Sequence, residues 1–128
     1  MIIVKLISEV LGSPKEHVDK ALNLILDKIK EQTGLKVTDS RFFEAQKMED
    51  KPLFTGFIEY TIDVEDPQRL IDFCFDFMPS SIEIMEPDEF EMKSVKFADM
   101  LNDLLAKLHR NEMALRNLIA EKQLAGRK

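Results

Sequence analysis

The clearest pattern of hydrophobic and polar positions lies between Phe54 and Val64, where apolar residues alternate with largely polar ones. A period of two predicts a β-strand that has one face in the core and a largely polar opposite face. Such a strand is typical of an antiparallel sheet covered by helices on one side, because a strand covered on both faces would be apolar throughout.

Three weaker patterns predict the remaining strands. Residues 2–7 are rich in β-branched side chains and indicate a strand, although a short helix remains possible there. Residues 35–47 form another candidate strand, in which the adjacent Phe42-Phe43 breaks the alternation and indicates a bulge. The last strand is expected at 81–86, with its isoleucines facing inward.

Two segments show helical spacing. Ser13-Pro14-Lys15-Glu16 matches a capping box with proline at the first helical position, so the first helix is expected to begin there. Gly34 is expected to provide the left-handed residue that ends this helix. Asp66-Pro67 repeats the pattern of a cap followed by proline, and the second helix is expected to stop before Pro79.

The resulting order is β-α-β-β-α-β, which predicts an α+β fold. The specific arrangement expected is ferredoxin-like, with two helices on one face of an antiparallel sheet. Residues 1–87 complete this domain, and residues 88–128 form a C-terminal helical extension.

The extension predicts one long amphipathic helix over 94–125. Its apolar positions recur at steps of three, four and seven residues, which is the spacing of a heptad repeat. Candidate association residues, called the stripe below, are Phe97, Leu101, Leu104, Leu105, Leu108, Asn111, Leu115, Leu118 and Ile119. Asn111 interrupts the apolar positions: it either specifies the register of a helix pair or faces solvent where the helix leaves its partner.

The length of this helix favours self-association. At about 1.5 Å per residue it spans roughly 48 Å, whereas a domain of this size is near 30 Å across. Leucines beyond the domain would face water, so a homo-oligomer, dimer or higher, is expected. Leu105 and Ile119 make the stripe wider than a two-stranded seam, so part of the helix packs on its own domain or joins a larger bundle.

Charge divides along the chain. Residues 1–90 carry 19 acidic and 10 basic residues, net −9, whereas residues 91–128 carry 5 and 8, net +3. Between Glu59 and Glu91 there are eleven acidic residues and one base, Arg69. This surface disfavours nucleic acids and is interpreted as a solvated acidic face; the alternative is a site for a cation or a basic protein partner.

Common catalytic signatures are missing from the sequence. There is no glycine-rich phosphate loop, nucleophile elbow or H-E-x-x-H motif, so no catalytic residue, metal site or cofactor is expected. His17 and His109 are interpreted as surface residues, and the lone Cys74 as a buried structural thiol. No stretch of about 18 apolar residues and no signal peptide is evident, so a cytoplasmic protein without a membrane span is expected.

Two resemblances suggest binding functions. Gly56-Phe57-Ile58-Glu59-Tyr60 is similar to the later part of an RNA-recognition motif, which implies RNA binding on the open sheet face; Thr55 stands where that motif has a further aromatic residue. The element order over 1–87 resembles ACT domains, which implies a small effector bound at the loop after the first strand. Gly12 and Ser13 are the candidate effector loop.

The whole chain resembles a small uncharacterised archaeal protein family with a ferredoxin-like body, the segment Met78-Pro79-Ser80-Ser81-Ile82-Glu83-Ile84 and a helical tail. That resemblance implies no assigned activity. The leading hypothesis is therefore a non-enzymatic, self-associating docking or scaffold protein. An effector-binding regulatory domain is the second hypothesis, and RNA binding is the third.

Overall fold

Seven elements follow one another along the chain in a computed structural model that describes residues 1–126. They are β1 (Ile2–Gly12), α1 (Lys15–Lys30), β2 (Leu35–Lys47), β3 (Phe54–Val64), α2 (Pro67–Phe77), β4 (Ser81–Glu86) and α3 (Ser94–Gly126). The chain divides into two compact units: the first is Met1–Phe90, and the second begins at Glu91 and contains α3. The role of the extension as an association arm stays a prediction.

The first unit contains a four-stranded sheet in the order β2-β3-β1-β4, and every neighbouring pair is antiparallel. This confirms the predicted α+β class with an antiparallel sheet. β1 and β3 are central, and β2 and β4 are the edges.

One face of the two central strands forms the core. α1 and α2 both bury residues in the same cluster, so both helices cover this face. The fully buried side chains of this cluster are Val4, Leu6, Val18, Leu22, Ile29, Ile58, Tyr60, Ile62, Val64 and Phe73.

Gly56 lets α1 approach the sheet closely. A Cβ atom at this position would lie 2.9 Å from Leu22 Cδ1, and 3.2 Å from both Ala45 Cβ and Val18 Cγ1. Contacts under about 3 Å do not occur between real side-chain carbons, so a residue with a side chain would push the helix from the strand. The glycine in the alternating pattern of β3 therefore has a packing role.

The start of α2 follows the prediction, whereas the start of α1 does not. Asp66 caps α2 by accepting a hydrogen bond from the Arg69 backbone N–H at 2.9 Å, and Pro67 is the first helical residue. At α1 the capping position is Pro14, and no side chain caps the helix, so the predicted capping box at Ser13 is wrong. The first turn closes on the backbone instead, because the Pro14 carbonyl accepts hydrogen bonds from the backbone N–H groups of His17 and Val18.

The predicted end of α1 is also corrected. The helix ends at Lys30, and Gly34 lies further along, in the turn that enters β2. Gly34 does have the expected left-handed conformation, with φ of 80°. The Arg69 side chain packs against it, 3.1 Å from where a Cβ would stand. Gly34 therefore shapes the turn rather than the helix terminus.

Two strands differ from the predicted pattern. β1 runs on to Gly12, because its second half pairs in register with the first half of β3. In β2 the bounds match the prediction, but Phe42 and Phe43 pair regularly with β3. The irregularities lie on either side of this pair, between Val37 and Asp39 and beyond Phe43.

The isoleucines of β4 point to the core side of the sheet, as expected, but they are not buried. Ile82 and Ile84 pair with Leu6 and Val4 and so lie on the core side of the sheet, yet they are 46% and 43% exposed. β4 is an edge strand and contributes no residue to the buried cluster. The alternation in β4 indicates the face to which each side chain points, but it does not indicate whether a helix or strand packs over that face.

Candidate functional site

All nine residues of the stripe lie on α3, which runs unbroken for 33 residues from Ser94 to Gly126. Leu104 is half-buried and Asn111 is exposed. The other seven are large apolar side chains that are between 43% and 62% exposed: Phe97, Leu101, Leu105, Leu108, Leu115, Leu118 and Ile119. α3 therefore presents a long apolar surface, and whether this surface binds a second copy stays a prediction.

Charged side chains on α3 form ion pairs within the helix. Lys107 lies 3.4 Å from Asp103, and Arg116 lies 2.6 Å from Glu112, each pair joining residues four apart. Such pairs support an isolated helix by a few tenths of a kcal/mol, about 0.3–0.5 each. Lys107 and Glu112 also occupy the heptad positions that form ion pairs between parallel helices. An ion pair between Lys107 and Glu112 of two helices would therefore compete with the pairs within each helix.

A line of alternating charges crosses the face of the sheet opposite the core. Arg41 on β2 pairs in register with Glu59 on β3, and Lys5 on β1 pairs in register with Glu83 on β4. Lys5 Nζ lies 2.6 Å from Glu59 Oε1 and so joins the two halves. The hydrogen bond to Glu59 raises the pKa of Lys5, and the charges of Glu59 and Glu83 act in the same direction. We call these four residues the charge row.

Two aromatic rings lie beside the charge row. Phe43 on β2 stacks against Phe57 on β3, with ring centroids 4.5 Å apart, and the Arg41 guanidinium lies 4.8 Å from the Phe43 ring centroid. Phe57 remains partly exposed. A shallow depression of about 390 Å³ lies on the same face, with Lys5, Arg41 and Glu59 among its lining residues.

The candidate effector loop lies at the end of β1. Gly12 is the last residue of the strand and pairs with Phe54, and Ser13 is exposed in the turn before α1. A Cβ atom at Gly12 would meet Val18 Cγ2 at 3.6 Å, an ordinary contact, so packing does not require glycine there. Effector binding at this loop stays a prediction.

A buried hydroxyl pair, which the sequence pattern did not predict, lies in the core. Ser8 Oγ and Tyr60 OH are 2.7 Å apart, and both residues are buried. Burial raises the pKa of Tyr60, although the hydrogen bond with Ser8 acts in the opposite direction. Cys74 is only half-buried beside this core, and burial raises the pKa of its thiol, so the thiol stays protonated at neutral pH.

Other chemistry-bearing residues are dispersed. His17 and His109 are both exposed. Within residues 1–126 no group of three or more His, Cys, Asp or Glu side chains is arranged to hold a metal ion. A membrane-crossing helix is likewise not found in this part of the chain, since none of its helices is both long and apolar enough.

The geometry defines an α+β protein with a four-stranded antiparallel sheet, two helices on one face of that sheet and a long C-terminal helix. The chain belongs to the MJ0538 family, whose model matches residues 3–125 and thus both units. The description of that family names no activity, ligand or partner. This confirms the expected membership of an uncharacterised family. No match was found among curated proteins.

Proposed function

We propose that this protein associates with a second copy of itself through α3 and acts as a docking or scaffold protein, not as an enzyme. The observation that carries the proposal is the exposure of seven large apolar side chains along one unbroken helix. At about 1.5 Å per residue, α3 is roughly 50 Å long and offers a linear interface.

The energetics favour contact along the length of the stripe. Full burial of a leucine gains about 1.5–3 kcal/mol. Covering the exposed half of one stripe leucine therefore gains about 1 kcal/mol, and each chain contributes several such leucines. Association itself costs an estimated 4–15 kcal/mol in lost freedom. A contact at one or two leucines cannot offset that cost, whereas burial of the whole stripe from two chains can.

Asn111 favours a parallel arrangement of two copies. In a parallel pair in register, Asn111 faces Asn111 of the second copy, and the two amides can hydrogen-bond to each other. In an antiparallel pair the same amide would face a leucine and lose its partner, which costs about 1–3 kcal/mol. Leu105 and Ile119 widen the stripe, so a bundle of more than two helices is the alternative arrangement.

Sedimentation velocity on the full chain tests this proposal. The double variant Leu108→Asp/Leu115→Asp places charge in the stripe and is expected to sediment as a monomer with unchanged helix content. Met113→Asp is the matched control, because Met113 is 65% exposed on the same helix but lies outside the stripe. The wild type and the control are expected to sediment as an oligomer. Equal sedimentation of all three proteins would contradict a role for the stripe.

We also propose that the first unit is a ferredoxin-like domain. The support is the order β-α-β-β-α-β, the antiparallel strand order β2-β3-β1-β4, and the position of α1 and α2 on one face. An experimental structure with another strand order would contradict this assignment.

The docking role is expected to involve a basic protein partner, because residues 1–90 carry a net charge of −9. Effector binding at Gly12 and Ser13, RNA binding on the open face and a cytoplasmic location stay predictions. A rise in melting temperature with one member of a metabolite panel would support the effector hypothesis. Salt-sensitive retention on single-stranded RNA would support the RNA hypothesis.

A further inference from the structure

β4 is an edge strand of the sheet, and its regular part is Ser81–Ile84. It pairs with β1 on one side only, and all six of its residues are exposed. An edge strand presents unpaired backbone N–H and C=O groups, which natural proteins commonly protect with bulges, lysines or prolines. Between Ser81 and Glu86 there is no lysine or proline. The pairing of β4 with β1 has one irregularity, after Ile84, so that Ser81–Ile84 is the regular part of the strand. Ser81–Ile84 therefore presents a regular run of edge backbone groups, to which another strand can add.

The opposite edge provides a contrast within the same sheet. β2 has two irregularities in its pairing with β3, which bend a strand and disturb its outer hydrogen-bonding groups. It also carries Lys36, Arg41 and Lys47, residues of the kind that discourage edge pairing. β4 has one irregularity and no basic residue, so the two edges differ in degree, and Ser81–Ile84 is the more accessible stretch.

The charge row indicates what an added strand would carry. From β2 to β4 its charges alternate as Arg41, Glu59, Lys5 and Glu83, and the row ends at Glu83 on the free edge. Opposite charges on neighbouring strands stabilise a sheet, and like charges directly opposite one another destabilise it. The position opposite Glu83 in an added strand therefore favours lysine or arginine.

The other face of β4 favours aliphatic residues on either side of that cation. Ile82 and Ile84 flank Glu83 and lie on the core side of the sheet, where they remain exposed. Because side chains alternate between faces, an added strand with a cation opposite Glu83 places its neighbouring residues beside these isoleucines. Aliphatic residues at those positions would cover apolar surface that now faces water.

We infer that the free edge of β4 binds an extended peptide segment of a partner protein, in which lysine or arginine alternates with aliphatic residues. Strand addition of this kind takes its affinity from backbone hydrogen bonds and its specificity from alternate side chains. A second copy of this chain fits the edge poorly: an antiparallel pair with Ile82 opposite Ile84 would set Glu83 against Glu83 of the other copy. The inference does not depend on self-association through α3.

Peptide binding to the full-length protein tests this inference. The probe is a fluorescein-labelled peptide of alternating lysine and valine, about ten residues long, which is the upper end of usual strand length. One control peptide replaces a central valine and the adjacent lysine with proline, which removes a backbone donor toward β4 whichever of the alternating N–H groups point that way. Another replaces every lysine with glutamate. Fluorescence anisotropy measures affinity, and hydrogen exchange locates the amides that become protected.

The lysine-valine peptide is expected to bind with saturation and to protect the amides of 81–86, and both control peptides are expected to bind much more weakly. Glu83→Lys should weaken binding on the order of fivefold or more, from the size of cross-strand charge pairs. Glu83→Lys also places a second cation beside Lys5, which can destabilise the sheet itself. Glu83→Gln avoids this repulsion and is expected to weaken peptide binding by a smaller factor. Glu49→Lys, in the turn before β3, makes the same charge change away from β4 and should leave affinity unchanged.

Three results would overturn the inference. Equal weakening by Glu49→Lys and Glu83→Lys would show attraction to net charge only. Protection of amides outside 81–86, without any there, would place the peptide elsewhere. Equal binding of the proline-containing peptide would exclude pairing through the strand backbone. Circular dichroism melts of the variants confirm that each comparison is between folded proteins.

Discussion

The hydroxyl pair of Ser8 and Tyr60 allows a quantitative test of the core. Ser8 is 4% exposed and Tyr60 is 1% exposed, and their oxygens are 2.7 Å apart. Tyr60→Phe keeps the aromatic ring, which makes an edge contact with Phe73, but leaves the Ser8 hydroxyl buried without a partner. Ser8→Ala likewise leaves the Tyr60 hydroxyl buried without a partner. Each single substitution is expected to lower the free energy of unfolding by about 1–3 kcal/mol, the usual cost of an unsatisfied buried polar group.

The double variant Ser8→Ala/Tyr60→Phe removes both hydroxyls and leaves neither unsatisfied. It should therefore lose less stability than the sum of the single variants, with a coupling of about 1–2 kcal/mol. Urea unfolding followed by circular dichroism, at one fixed protein concentration, measures all four proteins. Additivity within about 0.3 kcal/mol would refute the reasoning, because uncoupled residues add to that precision.

Three further predictions concern the same unit. Gly56→Ala is expected to destabilise the fold by about 1–3 kcal/mol, because the new methyl overpacks against the buried Leu22; thermal melts measure the loss, and an unchanged melting temperature would contradict the contact. Asp66→Ala should cost about 1 kcal/mol in urea unfolding by removing the cap of α2, whereas Asp66→Asn should restore most of it. Stability should fall as the pH rises above about 10. Burial raises the pKa of Tyr60 in the folded protein, so the phenol ionises more readily in the unfolded chain, and the unfolded state gains at alkaline pH. In Tyr60→Phe this alkaline loss should be smaller, as measured by melts between neutral and alkaline pH.

Local patterns were sufficient for much of the fold. The alternation over 54–64 predicted β3 with correct bounds, and the cap and proline at Asp66-Pro67 located α2. These signals depend on neighbouring residues alone. The capping box at Ser13 failed although it has the same local form, because the first turn of α1 closes on the Pro14 carbonyl. Sequence alone does not decide between a side-chain cap and a backbone cap.

Features that depend on register were beyond sequence analysis. Lys5, Arg41, Glu59 and Glu83 are far apart in the chain, and they align only when the strand order and the two irregularities of β2 are known. The same holds for Ser8 and Tyr60, whose strands pair in the centre of the sheet. The exposure of Ile82 was also unpredictable, because its alternation with polar residues is the same in a covered strand and an uncovered one. By contrast, the stripe on α3 was evident from heptad spacing, since it lies within one helix.

The molar mass of the full-length protein in solution tests the central proposal most directly. The chain has a mass of 14.8 kDa, so light scattering coupled to size exclusion should give at least twice that value and should fall to the monomer on dilution. A chain truncated after Pro87 should remain a folded monomer at every concentration. A full-length mass of 14.8 kDa at high protein concentration, with α3 intact by circular dichroism, would contradict self-association through this helix.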